Sequence, residues 1–217
     1  MAQSSSLTSP LMSEHAAKTL KQTFATVSGM WLLTAVAAIM TRDMNLGLMP
    51  MLLLFGGGIA LIFMVQAFRN SPLGLLGLAL FSAIEGASIG PLIGHYLARE
   101  DGTATVGLAA LLTAGAAGAC TLYAAYSKRD FSRMRGFLFA GLIVFLLSSL
   151  AMLFFPIPGM NMVMGAVGAL LFTGWMLYDL SNVIQGRETN YISAALGLYL
   201  DMLNFFLSIL RLLGNRN

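Results

Sequence analysis

The chain has 217 residues, of which 58% are hydrophobic and 10% are charged, and its mean hydropathy is +0.80. This composition excludes a water-soluble domain with one ordinary core, so we expect an integral membrane protein. The net charge of +3 does not indicate nucleic-acid binding, because the basic residues stand in short segments between apolar runs. The single cysteine, Cys120, excludes an intramolecular disulfide and a multi-cysteine metal site.

The N-terminal part is predicted to be a mobile segment that covers residues 1–23. Residues 1–13 are uncharged, rich in Ser and Thr, and contain Pro10, and residues 14–21 could begin a polar helical turn before the first apolar run. Two lysines then precede an apolar run with small residues at 35–37, a pattern that would also suit a cleaved signal peptide. We favour an uncleaved membrane anchor, because the run approaches the roughly 20 residues that a spanning helix needs.

Seven apolar runs predict an all-α membrane domain over residues 24–213. Short polar or Pro- and Gly-containing breaks separate the runs, and no linker divides them into two domains. The predicted transmembrane helices are 24–40, 46–68, 73–98, 104–126, 136–155, 160–184 and 191–213.

The distribution of basic residues predicts the orientation of these helices. Eight of the 12 Lys and Arg residues fall on the side of the N-terminus, which favours a cytoplasmic N-terminus and, after seven spans, a C-terminus outside. These eight are Lys18, Lys21, Arg69, Lys128, Arg129, Arg133, Arg135 and Arg187. The short charged C-terminal end favours a bacterial inner (plasma) membrane.

The last two predicted spans each contain one aspartate, and a charge at membrane depth costs roughly 2.5 to 3.5 kcal/mol on insertion scales. Asp179 lies about 9 Å from the cytoplasmic end of the sixth span, and Asp201 lies about 15 Å into the seventh. Asn182 and Asn204 follow these aspartates at i+3, and Ser208 continues the same face of the seventh helix. Two acids at similar depth predict a shared site.

This site has two interpretations that the residues alone leave open. The polar groups could form a hydrogen-bonded network that only fixes the helix register. Alternatively, Asp179 and Asp201 share one proton, and its loss separates the helices or recruits a cation. Calcium suits carboxylate and amide oxygens better than a soft metal does, so the pair is also the predicted calcium site. The predicted ion path consists of Glu85, about 18 Å into the third span, with Asn182, Asn204 and Ser208.

Other ionisable residues give weaker signals. Arg69, at the cytoplasmic mouth of the second span, could pair with the aspartates and act as a plug. His95 is interpreted as an interfacial residue in preference to a proton relay. No resident cofactor is expected, and the chain is not expected to be an enzyme, because it lacks His-Glu-x-x-His and Gly-x-Ser-x-Gly motifs. An intramembrane aspartyl protease is disfavoured, because Leu200 precedes Asp201 where Gly-x-Gly-Asp is needed.

In these residues the chain resembles the Bax inhibitor-1 family, also called the transmembrane Bax inhibitor motif family, and especially its bacterial YccA-like and YetJ-like branch. The similarity extends over nearly the whole chain from Lys18 onward. The shared features are Glu85-Gly86 and Gly90-Pro91 in the third span, Tyr178-Asp179 with Asn182 in the sixth, residues 188–192 in the loop, and residues 198–201 with Asn204 in the seventh.

The resemblance implies a seven-helix bundle with the last helix central, and a pH-sensitive calcium leak channel gated by a hydrogen-bonded aspartate pair. Asp179 and Asp201 stand where that pair would be. YccA-like members are also associated with a membrane-bound AAA protease, and some of them lack one or both aspartates, whereas this chain has both. Calcium transport is therefore the first functional prediction, and modulation of an AAA protease without transport is the alternative.

Overall fold

The computed structural model describes residues 12–127, 129–155 and 157–214, and its regular structure is helical, with 85% helix and no strand in the described residues. Seven helices are long and apolar enough to cross a membrane. This confirms the all-α, seven-span prediction. The helices are α1 (Glu14–Thr41), α2 (Leu48–Ala67), α3 (Pro72–Leu97), α4 (Gly102–Tyr126), α5 (Arg135–Phe154), α6 (Met160–Ile184) and α7 (Tyr191–Gly214), with a 3₁₀ turn (Ser132–Met134) before α5.

The first helix begins ten residues before the predicted start of the first span. The Ser13 hydroxyl accepts a hydrogen bond from the Ala16 N–H and caps the helix at Glu14. Ala16, Thr19 and Thr23 are buried on one face, which tertiary packing stabilises although the segment is polar. Residues 14–23, predicted as part of the mobile segment, therefore belong to α1, and residues 1–11 lie outside the described part of the chain.

Helix α7 lies at the centre of the bundle, as predicted. In its most apolar stretch 67% of the residues are buried, whereas in the other described helices this share does not exceed 39%. Helices α1, α2, α3, α4 and α6 all pack against it, while α5 packs on α6 at the periphery. Because α7 is enclosed on nearly every side, its polar residues face protein and not lipid.

Helices α1 and α3 approach each other closely through small residues. A Cβ added at Gly86 would stand 2.8 Å from the Thr34 Cα, and one added at Gly90 would stand 2.8 Å from the Ala38 carbonyl oxygen. Both distances are too short for a side chain, so glycine is required at these two positions. This agrees with the general expectation that small residues let membrane helices pack backbone to backbone.

The small residues of α4 do not all serve close helix packing. Ala117 is buried, but a Cβ at Gly115 or Gly118 would meet nothing within 4 Å. Helices α1 and α4 do not pack against each other in the described residues, and a groove of about 620 Å³ lies between them, with Met202 of α7 on its lining. Part of the small-residue surface of α4 therefore lines an open groove.

Candidate functional site

Asp179 and Asp201 both lie at the interface between α6 and α7. Asp201 is only 8% exposed, and its Oδ2 atom is buried without a hydrogen-bond partner among the described residues. Asp179 is partly buried, and its carboxylate lies against Gly197, one helical turn before Asp201 on α7. The structure thus brings together the two acids that the sequence singled out, one from each helix.

The contact between the helices at this point depends on a glycine. Asp179 Oδ2 lies against Gly197 of α7, and a Cβ added at Gly197 would overlap that oxygen. Gly197 stands one helical turn before Asp201, so both positions share one face of α7. The absence of a side chain at Gly197 is therefore what allows the carboxylate of α6 to approach α7 near Asp201.

The polar residues that follow the aspartates make local hydrogen bonds. Asn182 Oδ1 accepts from Arg187 Nε at 2.9 Å, Asn204 Nδ2 donates to the Leu200 carbonyl at 2.8 Å, and the Ser208 hydroxyl donates to the Asn204 carbonyl at 2.7 Å. These bonds stay within one helix or its adjoining loop. The structure therefore places Asn204 and Ser208 on α7, as predicted, but gives their hydrogen bonds to the backbone and not to the aspartates.

Glu85 lies at the interface of α2 and α3, away from the contact between α6 and α7. A Cβ added at Gly58 of α2 would stand 3.1 Å from Glu85 Oε1, so the carboxylate lies against bare helix backbone. The structure therefore does not place Glu85 in the contact between α6 and α7 that holds Asp179.

Tyr199 is a fully buried residue to which we assigned no role from the sequence. Its side chain is fully buried, and its hydroxyl lies 2.6 Å from Thr34 Oγ1 of α1. The Thr34 hydroxyl has one proton and two backbone acceptors within reach, so the Tyr199 hydroxyl is the donor in this pair. The sequence shows a tyrosine two residues before Asp201, but residue spacing within α7 cannot predict that its partner is Thr34 of α1.

Side-chain hydrogen bonds and an ion pair fix both ends of the loop between α6 and α7, and the sequence did not predict these contacts. Glu188 Oε1 accepts from the Asn190 N–H at 2.7 Å, and Asn190 Oδ1 accepts from Ile192 N–H at 3.0 Å, which caps α7. Asn190 Nδ2 donates to the Arg69 carbonyl at 3.0 Å and therefore ties this loop to the turn between α2 and α3. Arg187 forms an ion pair with Asp130 at 2.9 Å.

Arg69 and His95 lie at opposite ends of the bundle. Arg69 is exposed, and the two ion pairs formed within residues 12–127, 129–155 and 157–214 do not include it. Its role as a plug over the aspartates stays a prediction. His95 is exposed and lies 3.4 Å from an Arg99 nitrogen, which agrees with an interfacial position.

The donor set around the aspartates is small for a tightly bound metal ion. No group of three or more His, Cys, Asp or Glu residues in the described part of the chain is placed to hold one. Calcium takes six to eight oxygen ligands, of which the carboxylates of Asp179 and Asp201 could supply at most four. Backbone carbonyls or water would have to complete the shell, so the pair fits a transient contact with a passing cation better than a structural metal site.

The seven apolar helices, arranged around a central seventh helix with a carboxylate pair at its contact with α6, define a multi-pass membrane protein. The chain belongs to the Bax inhibitor-1 family: the family described as inhibitor of apoptosis-promoting Bax1 matches residues 16–217. This confirms the resemblance that the motifs in the third, sixth and seventh spans indicated.

Bacterial relatives match this chain over most of their own length. It is 31% identical over 204 residues to the Escherichia coli K12 protein named modulator of FtsH protease YccA, covering 94% of this chain and 92% of that one. It is 35% identical over 201 residues to a membrane protein of Vibrio cholerae, covering 92% and 90% of the two chains. A Campylobacter jejuni protein is 37% identical over 166 residues, covering 76% and 72%.

Proposed function

We propose that this protein is a membrane-embedded modulator of a membrane-bound AAA protease of the FtsH type. The observation that carries the proposal is the similarity over nearly the full length to a relative named as a modulator of FtsH protease. Because the alignment covers 94% of this chain, the similarity includes the central helix and the loop between α6 and α7, not only apolar composition. The proposal assigns the chain a binding role, without a catalysed reaction and without a resident cofactor.

The protease role is tested with purified components in one membrane. The full chain and the FtsH-type protease of the same organism are reconstituted together in liposomes, and the degradation rate of a membrane substrate is measured with and without this protein. We expect the two proteins to co-purify and the degradation rate to change several-fold. A degradation rate that does not change, together with no co-purification, would overturn the proposal.

A calcium leak is the second candidate function, and one observation favours it. Asp201 has a buried carboxylate oxygen without a hydrogen-bond partner among the described residues, one helical turn from the Gly197 position against which the Asp179 carboxylate lies. Such a group is costly unless it is protonated or meets a cation. A proton shared by the pair would hold α6 and α7 together, and its loss would open a polar passage past Gly197.

The leak is tested by calcium flux into liposomes that contain the purified protein alone, measured over a range of pH. Asp179→Asn and Asp201→Asn are compared with Asp43→Asn, the same chemical change at an exposed carboxylate outside the predicted path. We expect the flux to depend on pH in the wild type and in Asp43→Asn, and to lose this dependence in both aspartate variants. Absence of flux at every pH excludes the leak and leaves the protease role untouched.

The same proposal includes an inner-membrane location with a cytoplasmic N-terminus and an outside C-terminus. The excess of Lys and Arg on the N-terminal side supports this orientation. A reporter fused after the last helix tests it, since activity of a cytoplasmic reporter at that end contradicts the orientation.

A further inference from the structure

A polar pocket lies at the end of the bundle where α3 and α7 begin, outside the aspartate pair. It has a volume of about 450 Å³, within the range of small-ligand sites. Its lining contains Arg69 and Arg187, one carboxylate residue, Glu188, and His15. Arg187 is paired with Asp130, so Arg69 supplies the positive charge of the lining that has no ion-pair partner among the described residues.

The backbone turn that carries Arg69 is fixed by hydrogen bonds. Asn190 Nδ2 donates to the Arg69 carbonyl at 3.0 Å and to Asn70 Oδ1 at 2.7 Å, which fixes the turn that carries Arg69. Gly74 lets this turn fold closely onto α3, because a Cβ there would stand 2.7 Å from the Phe68 carbonyl. The two loops therefore fix the backbone position of Arg69 beside the loop that carries Arg187, and the Arg69 side chain is exposed.

Arg187 is held at the edge of the same pocket by two acceptors. Its Nη1 donates to Asp130 and its Nε donates to Asn182, both at 2.9 Å. Within the described residues Arg69 has no carboxylate partner at ion-pair distance, so its guanidinium is available to an external anion. Arginine binds phosphate oxygens through paired hydrogen bonds, and both helix N-termini add positive potential at this point.

A second cavity of about 400 Å³ shares Arg69, Asn70 and Asn190 with the first. Pro72, Leu75 and Ile192 give this second cavity an apolar wall, and Leu75 is 40% exposed on the outer surface of α3. Arg69 without an ion-pair partner among the described residues, next to this apolar wall at the end of membrane helices, suits a molecule with an anionic head and a hydrocarbon tail. A free phosphate ion would use only the first cavity.

We propose that the joined pockets around Arg69 bind the phosphate headgroup of an anionic phospholipid, with its glycerol and upper acyl chain against Leu75 and Ile192. The proposal is independent of the proposed function, since it uses neither the aspartates nor a protease. It also gives Arg69 a different role from that of a plug. The site belongs to the leaflet on the N-terminal side of the bundle, where most of the Lys and Arg residues lie.

Native mass spectrometry of the full chain in mild detergent tests the site. The probes are phosphatidylglycerol and phosphatidylcholine with the same acyl chains, and glycerophosphoglycerol, which is the free headgroup. Arg69→Gln is compared with Arg133→Gln, because Arg133 is an exposed arginine outside the pocket lining at the same end of the bundle. The two variants change the net charge equally.

We expect phosphatidylglycerol to bind more tightly than phosphatidylcholine, and Arg69→Gln to weaken its binding by about ten-fold. Arg133→Gln should leave this affinity unchanged. Equal affinity for the two lipids, or an equal loss in both variants, would overturn the proposal. If the free headgroup binds as tightly as the lipid, the site takes a soluble phosphodiester and the lipid assignment is wrong.

Discussion

The carboxylate of Asp179 on α6 lies directly against Gly197 of α7, where a Cβ would overlap one of its oxygens. An ionisable side chain thus meets bare helix backbone, one turn before Asp201. The spacing between α6 and α7 at this depth is set by that contact. The glycine is therefore as much a part of the candidate site as the two acids are.

Gly197→Ala should destabilise the protein. Alanine is favoured over glycine in a helix by about 1 kcal/mol, but the added methyl must displace Asp179, and overpacking costs about 1 to 3 kcal/mol. The matched control is Gly118→Ala on α4, where the methyl meets nothing within 4 Å. Chemical unfolding in mild detergent should show a lower free energy of unfolding for Gly197→Ala alone, and equal stability of the two variants would contradict the packing.

Tyr199→Phe should lower the free energy of unfolding by about 1 kcal/mol, the usual net contribution of a buried hydrogen bond. The ring would stay packed between Trp31 and Phe81, whose centroids each lie 5.9 Å away. A double-mutant cycle with Thr34→Val measures the bond itself. The two losses should be less than additive, because either change already breaks the same bond; full additivity would show that the hydroxyls do not interact.

Asn190→Ala should destabilise the end of the bundle by about 1 to 2 kcal/mol, because it removes the cap of α7 and the tie to the turn between α2 and α3. Hydrogen exchange at Ile192 and Ser193 should become faster, since Asn190 Oδ1 accepts from both amides. Thr189→Ala, at an exposed neighbouring position, serves as the control. Unchanged exchange at both amides in Asn190→Ala would contradict the capping role.

The ion pair of Asp130 gives a prediction for pH. The Ser132 N–H donates to the carboxylate and, with Arg187 beside it, holds the pKa of Asp130 below its ordinary value of 3.8. Because the folded pKa is the lower one, the contribution to local stability is complete above the unfolded value and is lost as the pH falls through the folded value.

Protection of the Ser132 amide from hydrogen exchange should therefore be constant at neutral pH and decrease only below about pH 4. Asp130→Ala should remove this protection at every pH. Asp43→Ala changes the other exposed ion pair, with Arg42, and should not affect Ser132. Protection that persists in Asp130→Ala would show that the carboxylate does not hold the amide.

Hydropathy was sufficient to predict the seven helices because membrane insertion depends on the composition of each run, and the boundaries of α2 to α7 differ from the predicted ones by at most two residues. For the same reason the first predicted span began ten residues after the start of α1. Lys18 and Lys21 lower the hydropathy of residues 14–23, while the burial of Thr19 and Thr23 depends on partners elsewhere in the bundle.

The aspartates could be predicted from the sequence because a charge within an apolar run is costly wherever it lies. Their partners could not, because contacts between helices depend on rotation about each helix axis. Nothing in the sequence distinguishes Gly197 from the rest of the 23 glycines. The position of Asn182 three residues after Asp179 likewise does not predict that its side chain binds Arg187. The Tyr199 hydroxyl likewise bonds to a threonine 165 positions away.

The central position of α7 has a consequence for biosynthesis. This helix follows the other six in chain order, yet the inner faces of α1, α2, α3, α4 and α6 pack against it. During translation those helices enter the bilayer before their common partner leaves the ribosome. Final assembly must therefore wait for α7, and until then the nascent bundle exposes an incomplete interior to lipid and to membrane quality control.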